Sequence, residues 1–135
     1  MHLLTEGSGL PLDFTCTGAN GGERIQAKYL VSNIWKPRRA IRLLQADRGY
    51  DARWLRIYLM QRGYYPLIGY RKLGKREDLG KKAYKISTRW TIERAFSWLK
   101  CKYRRLAMRW ERRQVYWEGF VALGVIMLWV DKLAG

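Results

Sequence analysis

Hydrophobic and polar positions along the 135-residue chain change period several times. Leu3–Thr5 and Leu10–Thr17 are short apolar-rich runs around the flexible stretch Glu6-Gly7-Ser8-Gly9, which predicts a β-hairpin. Residues 18–22 read as a loop. Glu23 to about Ile34 carries Ile25, Tyr29 and Leu30 at helical spacing, with an acid in its first turn, and predicts a helix. Pro37 punctuates the chain, and Lys36, Arg38, Arg39 and Arg42 form a basic approach. Ile41–Ala46 reads as a buried strand ending in Asp47-Arg48-Gly49-Tyr50-Asp51. Asp51 is positioned to cap a helix over Ala52–Gln61, Gly63 to stop it, and Tyr64–Ile68 to follow as a strand.

Arg71 to Lys85 holds seven basic residues, two acids and two glycines without a period, and reads as an exposed loop. Thr88 to about Arg105 predicts a helix, with Ile92, Phe96, Leu99 and Tyr103 as its core stripe. A last helix, about Val115 to Leu133, is apolar on nearly every side and is expected to be buried. No internal repeat or domain boundary stands out. Strands alternating with helices argue for an α/β fold in one domain, and in such sheets functional groups gather beyond the carboxyl ends of strands. Asp47 holds such a position.

Composition narrows the function classes. With 48% hydrophobic residues the chain builds a core and is no disordered tail. Its 27 Lys and Arg against 11 Asp and Glu give a net charge of +16. A charge of this size selects polyanionic partners, nucleic acid first and an anionic membrane surface second. Seven Trp and nine Tyr supply core and, for some, base-stacking surface. One histidine and two distant cysteines, Cys16 and Cys101, do not make a zinc site, and free thiols suit a reducing compartment. The start lacks the pattern of a signal peptide. The most apolar run, Phe120–Val130, is 11 residues long, short of the ~20 needed to span a bilayer.

Candidate chemistry centres on Arg89, Glu93 and Lys100. Their offsets of 4 and 7 place all three on one helical stripe. The next fourteen residues, Lys100 to Arg113, hold seven Lys or Arg and one Glu. Interleaved Tyr103, Leu106, Met108 and Trp110 make this a folded basic surface. Carboxylates such as Asp47 and Glu93 can hold hard cations that activate the attacking and leaving oxygens of a phosphodiester, and oxygen ligands suit Mg²⁺ or Mn²⁺. From spacing alone a plainer reading stays open: Asp47 as a strand-end turn residue and Glu93 as an ion-pair partner of Arg89 and Arg94.

The stretches Gly9-Leu10-Pro11-Leu12, Thr17-Gly18-Ala19-Asn20, Ala46 through Asp51 and Arg89 through Trp110 resemble, in order, the DDE transposases of bacterial insertion sequences. The resemblance is to the broad group of families four and five. It implies an RNase H-like mixed sheet with flanking helices, in which three carboxylates bind two Mg²⁺ ions for DNA hydrolysis and strand transfer. Asp47 matches the second catalytic Asp and Glu93 the catalytic Glu. Arg89, Glu93 and Lys100 fit the last three positions of the signature Y-x2-R-x3-E-x6-K, while its Tyr position is Ile86. Arg89 and Lys100 are expected to contact DNA, with Arg94, Arg104 and Arg105 as helpers.

The family's first catalytic Asp lies on a strand before the hairpin. Residues 1–135 are therefore expected to be the carboxy-terminal portion of the catalytic domain, without that strand, and Glu6 and Asp13 are poor substitutes for the Asp. The chain would be the second frame of a frameshifted element or a remnant, inactive alone. Double-stranded DNA, full-length transposase and the upstream-frame product are the expected partners, in a bacterial cytoplasm at the nucleoid. A non-catalytic DNA-binding or transposase-inhibiting protein is the alternative from another class. A basic RNA-associated protein is a further one, without an R-G-F-x-F-like strand motif to support it.

Overall fold

A computed structural model describes residues 1–18, 22–34, 42–70, 89–108 and 111–135. The expected loop at Arg71–Lys85 and the basic approach at residues 36–39 fall outside the described residues.

Strands β1 (His2–Thr5) and β2 (Pro11–Thr15) form the expected antiparallel hairpin. Gly9 takes φ +94° in its turn, where a side chain would be strained. Helix α1 (Glu23–Asn33) follows. Its buried residues are Leu30 and Val31, whereas Ile25 and Tyr29 are exposed, so the inward face lies to the side of the expected one.

Strand β3 (Arg42–Ala46) and β4 (Tyr64–Ile68) pair in parallel, Arg42 against Tyr64 through Ala46 against Ile68. Helix α2 (Arg53–Gln61) makes the crossover that a parallel pair requires. The expectation of a buried β3 is corrected: Leu43 is 69% exposed, because among the described residues β3 has a ladder only with β4. Asp51 also differs from its expected role. Ala52 precedes α2 without a side-chain cap, and Asp51 instead accepts from Arg56 at 2.8 Å. Gly63, at φ +74°, ends α2 as expected.

The motif helix is shorter than its pattern suggested. It runs over α3 (Arg89–Lys102), breaks at Tyr103, and resumes as the short α4 (Arg104–Ala107). Helix α5 (Gln114–Ala134) closes the chain. Its expected burial holds on one face only. Val121, Gly124 and Leu128 are buried, while Leu123, Ile126 and Val130 are exposed.

Two hydrophobic clusters carry the fold. One joins Leu3 and Leu10 of the hairpin region to Ala95, Leu99, Leu106, Val121 and Leu128 of the carboxy-terminal helices. The other gathers Val31, Leu55, Leu59, Tyr64 and Ile68. Successive strand residues point to opposite faces, so β1 serves both clusters. Leu3 enters the first, and Leu4 packs on the second beside Leu44 and Ala46. The architecture is mixed α/β with two small sheets, β1–β2 and β3–β4.

Candidate carboxylate site and basic surface

Asp47 stands just beyond the carboxyl end of β3. Its backbone stays extended (φ −70°, ψ 163°) and its Oδ1 accepts from the Arg48 N–H at 2.7 Å, capping a single 3-10 turn, Arg48–Tyr50. The turn closes with Tyr50 N–H donating to Asp47 O at 3.0 Å. The side chain of Asp47 remains exposed.

Tyr50 anchors this turn to the rest of the protein. Its hydroxyl lies 2.9 Å from His2 Nδ1, and His2 Nε2 lies 3.2 Å from Thr17 Oγ1. Burial raises the pKa of Tyr50 above its ordinary 10.0, and the negative charges of Glu23 and Asp47 raise it further. Burial lowers the pKa of His2 below its ordinary 6.5, assisted by the amino terminus and opposed by Glu23. Glu23 thus belongs to the surroundings of Asp47. Arg24 Nε donates to Gly49 O at 3.3 Å, and a Cβ at Gly49 would collide with the Glu23 carboxylate. The sequence showed Glu23 only as a first-turn acid, and no local signal tied it to the turn.

Glu93 lies on α3. Thr91, Ala95 and Leu99 turn inward at steps of four residues, and Glu93 and Lys100 share the exposed side. Arg89 opens the helix. Phe96 and Tyr103 pack on the first cluster, as their stripe predicted. Arg94 has a different setting. Its guanidinium sits 4.3 Å from the Trp90 ring centre and 4.7 Å from that of Trp98, and it donates to Ser8 O in the hairpin turn. The turn is itself held by Glu6, which accepts from the Ser8 hydroxyl and the Leu10 N–H. A Cβ on Gly9 would stand 2.9 Å from Thr91 O, so the turn and α3 meet backbone to backbone.

Arg104 and Arg105 are exposed on α4, with Arg105 lying 5.1 Å from the Phe120 ring centre. Lys100, Arg112 and Arg113 are exposed as well.

Among the described residues no three His, Cys, Asp or Glu side chains are grouped to hold a metal ion. Asp13 is used locally: Oδ1 accepts from Phe14 N–H at 2.8 Å and Oδ2 from Asn33 at 3.2 Å. Glu6 serves the hairpin turn. Cys16 and Cys101 are free thiols. No helix among the described residues is long and apolar enough to cross a membrane.

Comparison with known proteins places the chain. Residues 1–129 match the transposase DDE domain family, and the chain belongs to that family. It is 34% identical over 134 residues to a Burkholderia cepacia protein described as a transposase for insertion sequence element IS402. That alignment covers 94% of the chain and 60% of the relative, so the chain spans about 60% of the relative's length. A Brucella ovis protein described as a transposase for insertion sequence element IS6501 is 28% identical, with 96% of each covered. No solved structure matches the chain.

Proposed function

We propose that residues 1–135 form the carboxy-terminal portion of an RNase H-like transposase catalytic domain that acts on double-stranded DNA in DNA transposition. The observation carrying this reading is the placement of Asp47, exposed at the carboxyl end of a parallel strand, in a chain of the DDE transposase family. Crevices at strand carboxyl ends are where such sheets place their chemistry. The division of the sheet supports the same reading. Leu4 of β1 reaches the cluster holding Leu44 and Ala46 of β3, yet the two strands belong to separate ladders. A strand carrying the first catalytic Asp would lie between them.

Asp47 and Glu93 fit Mg²⁺ or Mn²⁺ in donor type, both being exposed carboxylates. They supply two of the three ligands the reaction calls for. When bound, the metal would polarise the phosphodiester and lower the pKa of the attacking water or hydroxyl. Lys100, Arg104 and Arg105, with Arg89, would bind the DNA backbone, while Arg94 holds α3 against the hairpin. The chain would work in the bacterial cytoplasm at the nucleoid, joined to an upstream-frame product or to full-length transposase. Because no three-carboxylate group occurs among the described residues, a second reading is a non-catalytic DNA-binding or transposase-inhibiting protein.

Mn²⁺ titration followed by electron paramagnetic resonance tests the site in the chain itself. Asp47→Asn and Glu93→Gln should each weaken Mn²⁺ binding while leaving DNA affinity unchanged. In an enzyme completed with the upstream segment, Glu93→Ala should abolish metal-dependent cleavage. Equal loss of DNA binding in these variants would favour the non-catalytic reading.

A further inference from the structure

The turn that carries Asp47 is held at a second place besides the tie from Tyr50 to His2. Helix α2 begins just after the turn, and Arg56 lies one helical turn inside it, its N–H donating to Ala52 O at 3.1 Å. A helical side chain leans toward the amino terminus of its own helix, which brings Arg56 back over the exits of β3 and β4. Its Nε and Nη2 donate to Asp51 Oδ1 at 3.0 and 2.8 Å, and Nη2 also donates to Ile68 O at 2.7 Å. The guanidinium carbon lies 4.3 Å from the ring centre of Tyr70.

Asp51 closes the 3-10 turn, its N–H donating to Arg48 O at 3.1 Å, and Arg48 N–H donates in turn to Asp47 Oδ1 at 2.7 Å. Ile68 ends β4 and pairs with Ala46, the residue before Asp47. One guanidinium therefore joins the chain leaving β3 to the chain leaving β4. Gly69 belongs to the same seam. A Cβ there would stand 3.0 Å from Arg48 Cγ, so glycine lets the Arg48 side chain lie across the β4 exit.

Helix stability does not account for Arg56. No acid stands in the first turn of α2, and a cation near a helix amino terminus opposes the macrodipole. The Arg56–Asp51 pair is also largely buried, its side chains 15% and 16% exposed, and desolvation offsets much of what such a pair gains. What the pair supplies is geometry. A planar fork meets Asp51 and Ile68 O together while stacking on Tyr70, and an ammonium group does not. We propose that Arg56 is a positioning residue of the Asp47 site, locking the two strand exits together and so fixing the turn that presents the carboxylate. The proposal rests on the reading of Asp47 as a site residue, while the clamp itself is measured without metal.

Amide hydrogen exchange of the full chain reads the clamp. In Arg56→Lys the Tyr50 and Asp51 amides should exchange about tenfold faster, as a charge-assisted hydrogen bond is lost from the turn. Leu59 and Leu99, one in each hydrophobic cluster, should change far less. Asp51→Asn keeps an acceptor for the fork and serves if the lysine variant fails to fold; the same two amides should quicken, by a smaller factor. Equal quickening at Leu59 and Leu99 would make Arg56 a general stabiliser and overturn the proposal. Wild-type protection of the turn in Arg56→Lys would reduce the contact to an ordinary ion pair, which overturns it as well. Mn²⁺ titration then carries the test to the site. Binding that is lost in Asp47→Asn should be weakened in Arg56→Lys, and binding lost in the first but unchanged in the second rejects a positioning role. Binding indifferent to Asp47→Asn would remove the metal reading, and the exchange rates would still decide the clamp.

Discussion

His2 Nδ1 lies 2.9 Å from the hydroxyl of Tyr50, joining the first strand to the turn that Asp47 caps. The two rings meet edge to face, their planes at 83°. Residues 48 positions apart therefore hold one another. Asp47, three residues before Tyr50, is linked to that tie through the Tyr50 N–H, which donates to Asp47 O at 3.0 Å.

Tyr50→Phe keeps the ring and removes the hydrogen bond. The expected cost is about 0.5–1.5 kcal/mol, typical of one intramolecular hydrogen bond. Urea denaturation measures it. Amide exchange at Arg48–Tyr50 should quicken in the variant, and an unchanged rate would show that the turn stands without His2.

The same contact predicts a pH dependence. Burial holds the pKa of His2 below its ordinary 6.5 in the folded protein. The unfolded chain then binds the proton more readily, so this contribution to stability is present above 6.5 and is lost as pH falls below it. Glu6 acts in a lower window. Partial burial pushes its pKa up, but hydrogen bonds from Ser8 and Leu10, with the charge of Lys132, outweigh this and bring it below its ordinary 4.5. Its contribution is lost only as pH falls below that value. His2→Gln should flatten the stability profile just below 6.5 and leave the acid limb below 4.5 in place. Denaturant midpoints at a series of pH values decide it.

Arg94 separates holding the fold from holding DNA. Its guanidinium is stacked by Trp90 and Trp98 and bonded to Ser8 O. Arg94→Ala should cost about 2 kcal/mol, from a charge-assisted hydrogen bond and cation–π contacts. Lysine should rescue poorly, lacking the planar fork. The salt slope of DNA affinity should not change at 94, whereas Arg104→Ala or Arg105→Ala should each reduce it by about 0.9. A slope lost at 94 would make Arg94 a phosphate contact.

Local pattern made the hairpin, α1, α2 and the β3–β4 pair legible, because Gly9 and Gly63 punctuate where positive φ is needed. That Glu93 and Lys100 share one side of a helix followed from their spacing, whereas the exposure of that side did not. What stayed hidden depends on packing. An apolar residue reads alike whether a neighbour covers it or not, so the exposure of Leu43 and of the outer face of α5 could not be seen. Asp51 fits both a helix cap and an ion pair, and Arg56, a helical turn further on, decided between them. The tie from Tyr50 to His2 has no sequence period at all.

Gly9→Ala tests the seam between the hairpin and the motif helix. The residue has φ +94°, and the added methyl would stand 2.9 Å from a backbone oxygen that has little freedom to move. Strain of this kind costs about 1–3 kcal/mol. Because α3 is the partner in the clash, amide exchange should rise at Thr91–Ala95 ahead of α2. Exchange that rises evenly across the protein would mean that the hairpin does not position α3.

Glu93 and Leu99 stand on opposite sides of α3, one exposed and the other fully buried. Leu99→Ala leaves a cavity among Ala95, Leu106 and Val121 of the same cluster, and should cost about 2–5 kcal/mol. Glu93→Gln changes a charge at the surface and should move stability by no more than about 0.5 kcal/mol. The metal response should be the reverse. Leu99→Ala, assayed well below its unfolding midpoint, should keep Mn²⁺ binding, and Glu93→Gln should lose it with the fold intact. Melting curves with and without Mn²⁺ read both quantities in one experiment, since a ligand that binds only the native state raises the midpoint. A Glu93→Gln chain that is still stabilised by Mn²⁺ to the wild-type extent would remove Glu93 from the site.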